Sequence, residues 1–286
     1  MSLAQVRGNH SVNADLHCHS LQSDGVFSPT ELAARAHANG VQLWALTDHD
    51  DISGVASARE AATDLGLEFV SGVEISVTFA GQTVHIVGLG IDETSAILLE
   101  GLEQMRSDRD RRAALIADKL AQAGFEGAYE GALAHVKNPA LVSRTHFARY
   151  LYAAGHVQSL QDAFDRYLGE NGSAYVPTQW ASLGDAVDWI VQSGGVAVIA
   201  HPGRYRFSEL EFDALLTEFA QRGGKAIEVH TGSHRPHEYD YFAHVARQYG
   251  FLASIGSDFH GPDESRHDLG TIRPLPRDLT PVWHAL

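Results

Sequence analysis

The stretch Val12-Asn13-Ala14-Asp15-Leu16-His17-Cys18-His19 reads as a short apolar strand, residues 12–16, that runs out into two histidines. In an extended chain, residues i and i+2 point to one face. His17 and His19 can therefore turn together into one cavity at the carboxyl end of the strand. The pattern returns along the chain. Residues 43–46 form a second apolar run that ends in Thr47-Asp48-His49-Asp50. Residues 67–70 form a third, followed by Gly72-Val73-Glu74. Helices separate these runs. Ser28-Pro29-Thr30-Glu31 is a helix start, with Ser as the cap, Pro at the first position and Glu at the third. That helix stops near Asn39-Gly40. The next spans residues 53–65 and closes at Gly66.

Residues 73–79 and 83–89 flank Ala80-Gly81-Gln82 and predict a hairpin. The alternation then breaks. Between residues 92 and 175 the signals are helical only, at 97–123, 144–154 and 160–168. It resumes with a helix at 182–192 and a strand at 196–200 that leads into His201-Pro202-Gly203-Arg204. A helix at 209–221 and a strand at 226–229 come next, the latter ending at His230. A helix at 238–249 and a strand at 252–255 complete the set, ending in Gly256-Ser257-Asp258-Phe259-His260. Strand–helix alternation with polar residues at strand ends is how α/β barrels and open α/β sheets build their sites. The expected division is a barrel in two parts, residues 11–91 and 176–286, around an inserted helical subdomain at 92–175. The tail, residues 274–286, is expected on the barrel exterior.

Composition narrows the chemistry. The 286 residues fit one large domain or one domain with an inserted unit. Cys18 is the single cysteine, so an intramolecular disulfide and cysteine-rich zinc sites are excluded. Cys18 is read as a small apolar filler. No apolar run reaches membrane-spanning length. Residues 1–10 lack the apolar stretch of a secretory leader, so a cytoplasmic protein is expected. Asp and Glu outnumber Lys and Arg by 36 to 21, a formal charge of −15, which argues against a broad cationic nucleic-acid surface. It leaves room for an anionic substrate held by metal ions.

Seventeen histidines are the outlier. Strand ends collect His17, His19, His49, Glu74, His201, Asp258 and His260. Asp24, in the loop after the first strand, and His85, in the hairpin, extend the set to six imidazoles and three carboxylates. Nitrogen and oxygen donors suit Zn²⁺, Mn²⁺, Fe²⁺ or Mg²⁺. Nine donors exceed the needs of one tetrahedral ion and predict two or three. His10, His37, His135, His156, His234, His237, His244, His267 and His284 are read as solvated or locally hydrogen-bonded.

Asp15-Leu16-His17-Cys18-His19-Ser20, Thr47-Asp48-His49-Asp50, Gly72-Val73-Glu74-Ile75-Ser76, His201-Pro202-Gly203 and Gly256-Ser257-Asp258-Phe259-His260 together resemble the motifs of the PHP (polymerase and histidinol phosphatase) family of the amidohydrolase superfamily. The resemblance implies a distorted (β/α)7 TIM-like barrel, one strand short of the usual eight. It also implies a metal assignment. His17, His19, Glu74 and Asp258 would hold one ion. Glu74 would bridge to a second, held with His85 and His201. Asp24, His49 and His260 would hold a third, with Mn²⁺ expected and Zn²⁺ or Fe²⁺ as alternatives. Leu141-Val142-Ser143-Arg144-Thr145-His146-Phe147-Ala148-Arg149 resembles the Arg-x-His segment of stand-alone bacterial members. These act on nucleoside 3′,5′-bisphosphates or on short 5′-phosphorylated RNA.

The implied reaction is hydrolysis of the 3′-phosphate by metal-activated water. Histidinol-phosphate hydrolysis, carboxylic-amide hydrolysis and a metal-binding scaffold without activity are the alternatives. Ser143, Arg144, His146 and Arg204 are the candidate phosphate contacts, since Arg can grip phosphate through two parallel hydrogen bonds. His230 is a candidate proton donor at a strand end, and Asp48 a candidate to orient a ligand. A small phosphorylated nucleotide, or short RNA, is the expected partner. Neither a membrane nor an obligate protein partner is expected.

Overall fold

The computed structural model describes residues 12–286. The leader expected to be lacking at residues 1–10, the role of His10 and the first residue of the barrel segment 11–91 lie outside that range. Seven strands form one sheet in chain order: β1 Ala14–Asp15, β2 Leu43–Leu46, β3 Glu68–Phe79, β4 Gln82–Leu89, β5 Val196–Ile199, β6 Ala226–Thr231 and β7 Leu252–Gly256. β1, β2 and β3 pair in parallel, as do β5, β6 and β7. β4 runs antiparallel to both its neighbours. The edges meet. Leu16 N–H donates to Ile255 O at 3.0 Å, Asp258 N–H to His17 O at 2.8 Å, and His19 N–H to Phe259 O at 2.9 Å. The fold is α/β, a nearly closed seven-stranded barrel. Gly256 is required at this seam, because a Cβ there would stand 2.3 Å from His17 Cβ.

Helices cover the barrel. They are α1 Pro29–Ala38, α2 Val55–Leu65, α3 Ala96–Gln122, α4 Ala128–Leu133, α5 Arg144–Ala153, α6 Leu160–Ala163, α7 Leu183–Gln192, α8 Glu209–Gln221 and α9 Pro236–Tyr249. Their starts follow local chemistry. Ser28 Oγ accepts Glu31 N–H and Glu31 accepts Ser28 N–H in return, a reciprocal cap that Ser208 and Glu211 repeat on α8. Among the described residues no helix is long and apolar enough to cross a membrane.

Alternation sorts the sheet. Val73, Ile75 and Val77 of β3 face the outer helices with Ala197 and Ile199 of β5. Val87, Leu89, Val196, Val198 and Ala226 line the interior. The inward positions change character up each strand. On β4 they read Leu89, Val87, His85, so the apolar filling gives way to a metal-ligand type near the mouth.

Three expectations need correction. The strand at 67–70 and the first hairpin strand are one element, β3, so Glu74 sits within a strand rather than past its end. The tail does not pack outside. Val282 and Trp283 are fully buried and join the interior cluster, closing the barrel floor. The helix read at 160–168 is one turn, α6, followed by a π turn at Phe164–Leu168.

α3 has 27 residues, so it runs about 40 Å, enough to climb past the barrel wall. Leu98 and Leu102 near its start pack in the barrel's outer layer. Ala113, Ile116 and Leu120 farther along pack with Phe147, Leu151 and Leu168 in a separate helical core. That unit stands beside the mouth.

Candidate metal centre

Nine sequence-selected residues meet at the carboxyl ends of the parallel strands. Glu74 is central and fully buried. Its Oε1 lies 2.9 Å from both His85 Nδ1 and His201 Nε2, and 3.3 Å from His17 Nε2. Its Oε2 lies 2.8 Å from His49 Nδ1 and 3.3 Å from His19 Nε2. Asp258 Oδ1 approaches His19 Nε2 at 3.3 Å and His17 Nε2 at 3.6 Å. Asp24 Oδ1 faces His260 Nε2 at 3.4 Å and His49 Nε2 at 3.8 Å.

The folding of each segment explains this convergence. Antiparallel pairing sets Ser76 opposite His85 and Glu74 opposite Val87, on the inner face. Among the described residues four non-glycine residues have φ in the left-handed region: Asp50, Ala80, His201 and Asp258. Three of them flank or belong to this cluster. Such a backbone costs about 1–3 kcal/mol per residue, and it persists where surrounding contacts over-determine it. Here it swings the His201 and Asp258 side chains off their strand directions. Gly203 N–H donates to His234 Nε2 at 3.1 Å, which ties down the turn after His201.

The electrostatics are those of a ligand set. Burial would raise the Glu74 carboxyl, but His85, His17 and His49 hold it well below its ordinary value. Asp258 is likewise held low against burial, by Arg204 and His17. Burial lowers His49 to about 4 and His201 to about 3, so both are neutral and free to donate a lone pair. Asp24 Oδ1, His49 Nδ1 and Glu74 Oε2 are buried without a well-aligned hydrogen bond, although the last two lie 2.8 Å apart. Orphaned donors of nitrogen and oxygen type, packed this closely, fit divalent cations. Three groups place their ligand atoms within 4.8 Å of one another: His19, Asp24, His49 and His260; His17, His19 and Glu74; His49, Glu74 and His85. The centre is therefore a multi-metal candidate.

The remaining selected residues divide. Asp48 accepts Ser20 N–H at 2.7 Å and the Ser20 hydroxyl at 2.6 Å; it also accepts the Ser23 hydroxyl, which faces His19 Nδ1 at 3.4 Å. It braces the loop that carries His19 and Asp24. Ser143 caps α5 and donates to Asp24 Oδ2 at 3.2 Å, beside Thr145 at 3.0 Å. Arg204 pairs with Asp258 Oδ2 at 2.9 Å. Arg144 and Arg204 line a chamber of about 280 Å³ over the cluster. It shares walls with a wider groove of about 1160 Å³ that runs along the helical unit.

The structure does not bring His146 or His230 to the chamber. His146 is buried and accepts Ser143 N–H through Nδ1 at 3.0 Å, completing the cap of α5; burial lowers it to about 4. His230 packs on Tyr239 of α9, with ring centroids 4.3 Å apart, and donates from Nδ1 to Arg273 O at 2.7 Å. A register shift between Glu228 and His230 turns it outward.

That shift conceals a residue the sequence reading passed over. Glu228 is the inward residue of β6. Its Oε1 pairs with His17 Nδ1 at 2.8 Å and its Oε2 accepts His201 N–H at 2.6 Å. A carboxylate on the far nitrogen fixes a ligating imidazole's ring orientation and tautomer. Period-two alternation from Ala226 would have found it. Arg109 of α3 was also passed over. It is buried, donates to Asp50 Oδ2 at 2.7 Å and to the Ser76 hydroxyl at 2.9 Å, and so fastens the helical unit to the mouth. Cys18 is buried and accepts Trp44 Nε1–H at 3.2 Å, as a filler would.

A barrel with this multi-metal mouth defines a member of the amidohydrolase type of fold. Comparison identifies which one: residues 15–232 match the PHP domain, and the chain belongs to the PHP family. It is similar to a 3′,5′-nucleoside bisphosphate phosphatase from Chromobacterium violaceum, 46% identical over 96% of each chain. It is similar to the 5′-3′ exoribonuclease Rnm of Escherichia coli, 42% identical over 96% of this chain and 94% of that one. A solved amidohydrolase structure from Chromobacterium violaceum with bound sulfate superposes with a TM-score of 0.92 at 46% identity, covering 95% of each chain.

Proposed function

We propose that this chain is a metal-dependent phosphoesterase that removes the 3′-phosphate of nucleoside 3′,5′-bisphosphates, releasing nucleoside 5′-monophosphate and phosphate. One observation carries the reading: nine residues with N or O donors, the buried Glu74 central among them, gather at the floor of a chamber walled by arginines. The likeness to the Chromobacterium violaceum phosphatase along nearly the whole chain supports the substrate.

His17, His19, Glu74 and Asp258 would hold one divalent ion. Glu74, His85 and His201 would hold a second, and Asp24, His49 and His260 a third. Mn²⁺ is the proposed metal, with Zn²⁺ and Fe²⁺ as alternatives. Such ions supply a water acidified toward neutrality and a counter-charge for phosphoryl oxygens. The chain's own residues do the rest. Glu228 fixes the His17 ring, Asp48 braces the His19 loop, and Ser143 and Thr145 orient Asp24. Arg144 and Arg204 face the chamber and balance phosphate charge. We place residues 92–175 as the recognition unit inserted between barrel segments 11–91 and 176–286.

The groove beyond the chamber supports a second reading. About 1160 Å³ exceeds what a mononucleotide needs and would accept the continuing chain of a short 5′-phosphorylated RNA. Mn²⁺-reconstituted protein assayed on adenosine 3′,5′-bisphosphate, on 5′-phosphorylated oligoribonucleotides and on histidinol phosphate separates the possibilities. Turnover of the bisphosphate is expected to dominate. Phosphate release only from histidinol phosphate, or from none, would refute the proposal.

A further inference from the structure

A separate cavity, of about 400 Å³, lies between α9 and the segment Arg273-Pro274-Leu275-Pro276-Arg277. None of its lining residues lines the chamber or the groove beside the helical unit. Asp240, Ala243 and Arg247 stand three and four residues apart on α9 and so share the face turned to it. The two prolines restrict the backbone between Arg273 and Arg277, which limits the entropy lost when both guanidinium groups take one ligand. Among the described residues neither has a carboxylate at ion-pair distance, while Arg247 is held by Asp278 at 2.7 Å. His230 supplies the buried wall. It is 2% exposed, and its Nδ1 donates to Arg273 O at 2.7 Å. Burial lowers the imidazole below its ordinary value, so the ring is neutral and Nε2 carries a lone pair. That nitrogen makes no hydrogen bond among the described residues. Cations on one side thus face two acceptors on the other, His230 Nε2 and the Asp240 carboxylate. A bare anion would satisfy only the first side, and a neutral sugar only the second.

We propose that this cavity is a binding site for a phosphorylated sugar, free or as part of a nucleotide, apart from the metal centre. Arg273 and Arg277 receive the phosphate through charge-assisted hydrogen bonds. His230 Nε2 and Asp240 accept the sugar hydroxyls, and Ala243 and Leu275 cover its C–H face. The volume falls in the range of about 300–1,000 Å³ usual for small-molecule sites. The site goes beyond the activity proposed above and does not depend on it.

The test is calorimetric titration of the Mn²⁺-loaded protein with ribose 5-phosphate, adenosine 5′-monophosphate, ribose and inorganic phosphate. At least one of the two organic phosphates should bind more tightly than ribose or phosphate alone. Arg277→Ala should weaken that binding about 10- to 100-fold, the loss of a hydrogen bond to a charged group. A binding event that persists unchanged in Arg277→Ala belongs to the chamber. His230→Phe keeps a ring against Tyr239 but removes Nε2, and should weaken binding about 3- to 10-fold. It also removes the bond to Arg273 O, so Arg277→Ala carries the test should His230→Phe fail to fold; Arg277 is exposed and gives up no ion pair. Phosphate release from adenosine 3′,5′-bisphosphate should be equal in Arg277→Ala and wild type. Binding is read without turnover, so a protein that releases no phosphate but loses ligand in Arg277→Ala sinks the activity reading and keeps this site. Tighter binding of the nucleotide names it as the source of the phosphorylated sugar, and tighter binding of ribose 5-phosphate names the free sugar; either supports the site. Equal affinities in wild type and Arg277→Ala, or inorganic phosphate bound as tightly as both organic phosphates, would overturn the proposal.

Discussion

The barrel mouth and the helical unit beside it face one cleft with opposite charge. The mouth presents Asp24, Glu74 and Asp258, buried carboxylates interleaved with imidazoles. The helical unit presents Arg109, Arg112 and Arg144. On the barrel side the carboxylates lie against imidazoles, and Asp258 also pairs with Arg204. On the helical side Arg109 is paired with Asp50, while Arg112 is not. The contrast teaches that the formal charge of −15 describes the whole chain and not the cleft. An acidic protein can still assemble a wall for an anion, provided one element supplies the cations and another the metal ligands.

The strongest way to break this division is to damage the mouth. Asp258→Asn should reduce phosphate release to background and lower bound metal, measured by elemental analysis, with the far-ultraviolet dichroism unchanged. Near-normal turnover would remove Asp258 from the ligand set. The brace between the two regions comes next. Arg109→Ala leaves Asp50 buried and unpaired, so urea unfolding should show a loss of about 3–5 kcal/mol. An unchanged midpoint would mean that the helical unit is not fastened there.

Glu228→Gln tests the support beneath the mouth. Metal affinity, titrated directly, should weaken by about 10- to 100-fold, as expected when a carboxylate orienting a ligand histidine is lost. Identical affinities would reduce Glu228 to packing. Cys18→Ala is the smallest change. Turnover should stay at the wild-type value, because the thiol is buried and faces Trp44 and Ala45. Lost turnover at normal stability would give the thiol a role that this geometry does not support.

Much of the mouth was legible because its chemistry is local. His17-x-His19 and Asp258-x-His260 advertise themselves at two-residue spacing, and the helix caps at Ser28 and Ser208 follow from short-range hydrogen bonds. His230 was misread for an equally local reason. It follows an apolar run as the ligands do, yet the register shift in β6 turns it to α9 and leaves Glu228 facing inward. Nothing near residue 230 announces that shift, since it is set by pairing with β7. His146 shows the same limit. Its Arg-x-His segment made it a phosphate candidate through the family resemblance, and in the structure it is the third residue of a capping box.

By itself the sequence determined the alternation of strands and helices, the run of helices between β4 and β5, and the imidazole and carboxylate side chains that follow several strands. These depend on periodicity and side-chain chemistry, which are readable within a few residues. Only the tertiary structure decided that Trp283 closes the barrel floor, that Glu74 stands among five imidazoles, and that Arg112 Nε is left without a hydrogen-bond partner at the chamber wall. Each of those depends on which residues meet across long separations. Closure of the sheet and the path of α3 set those meetings, and no local pattern encodes them.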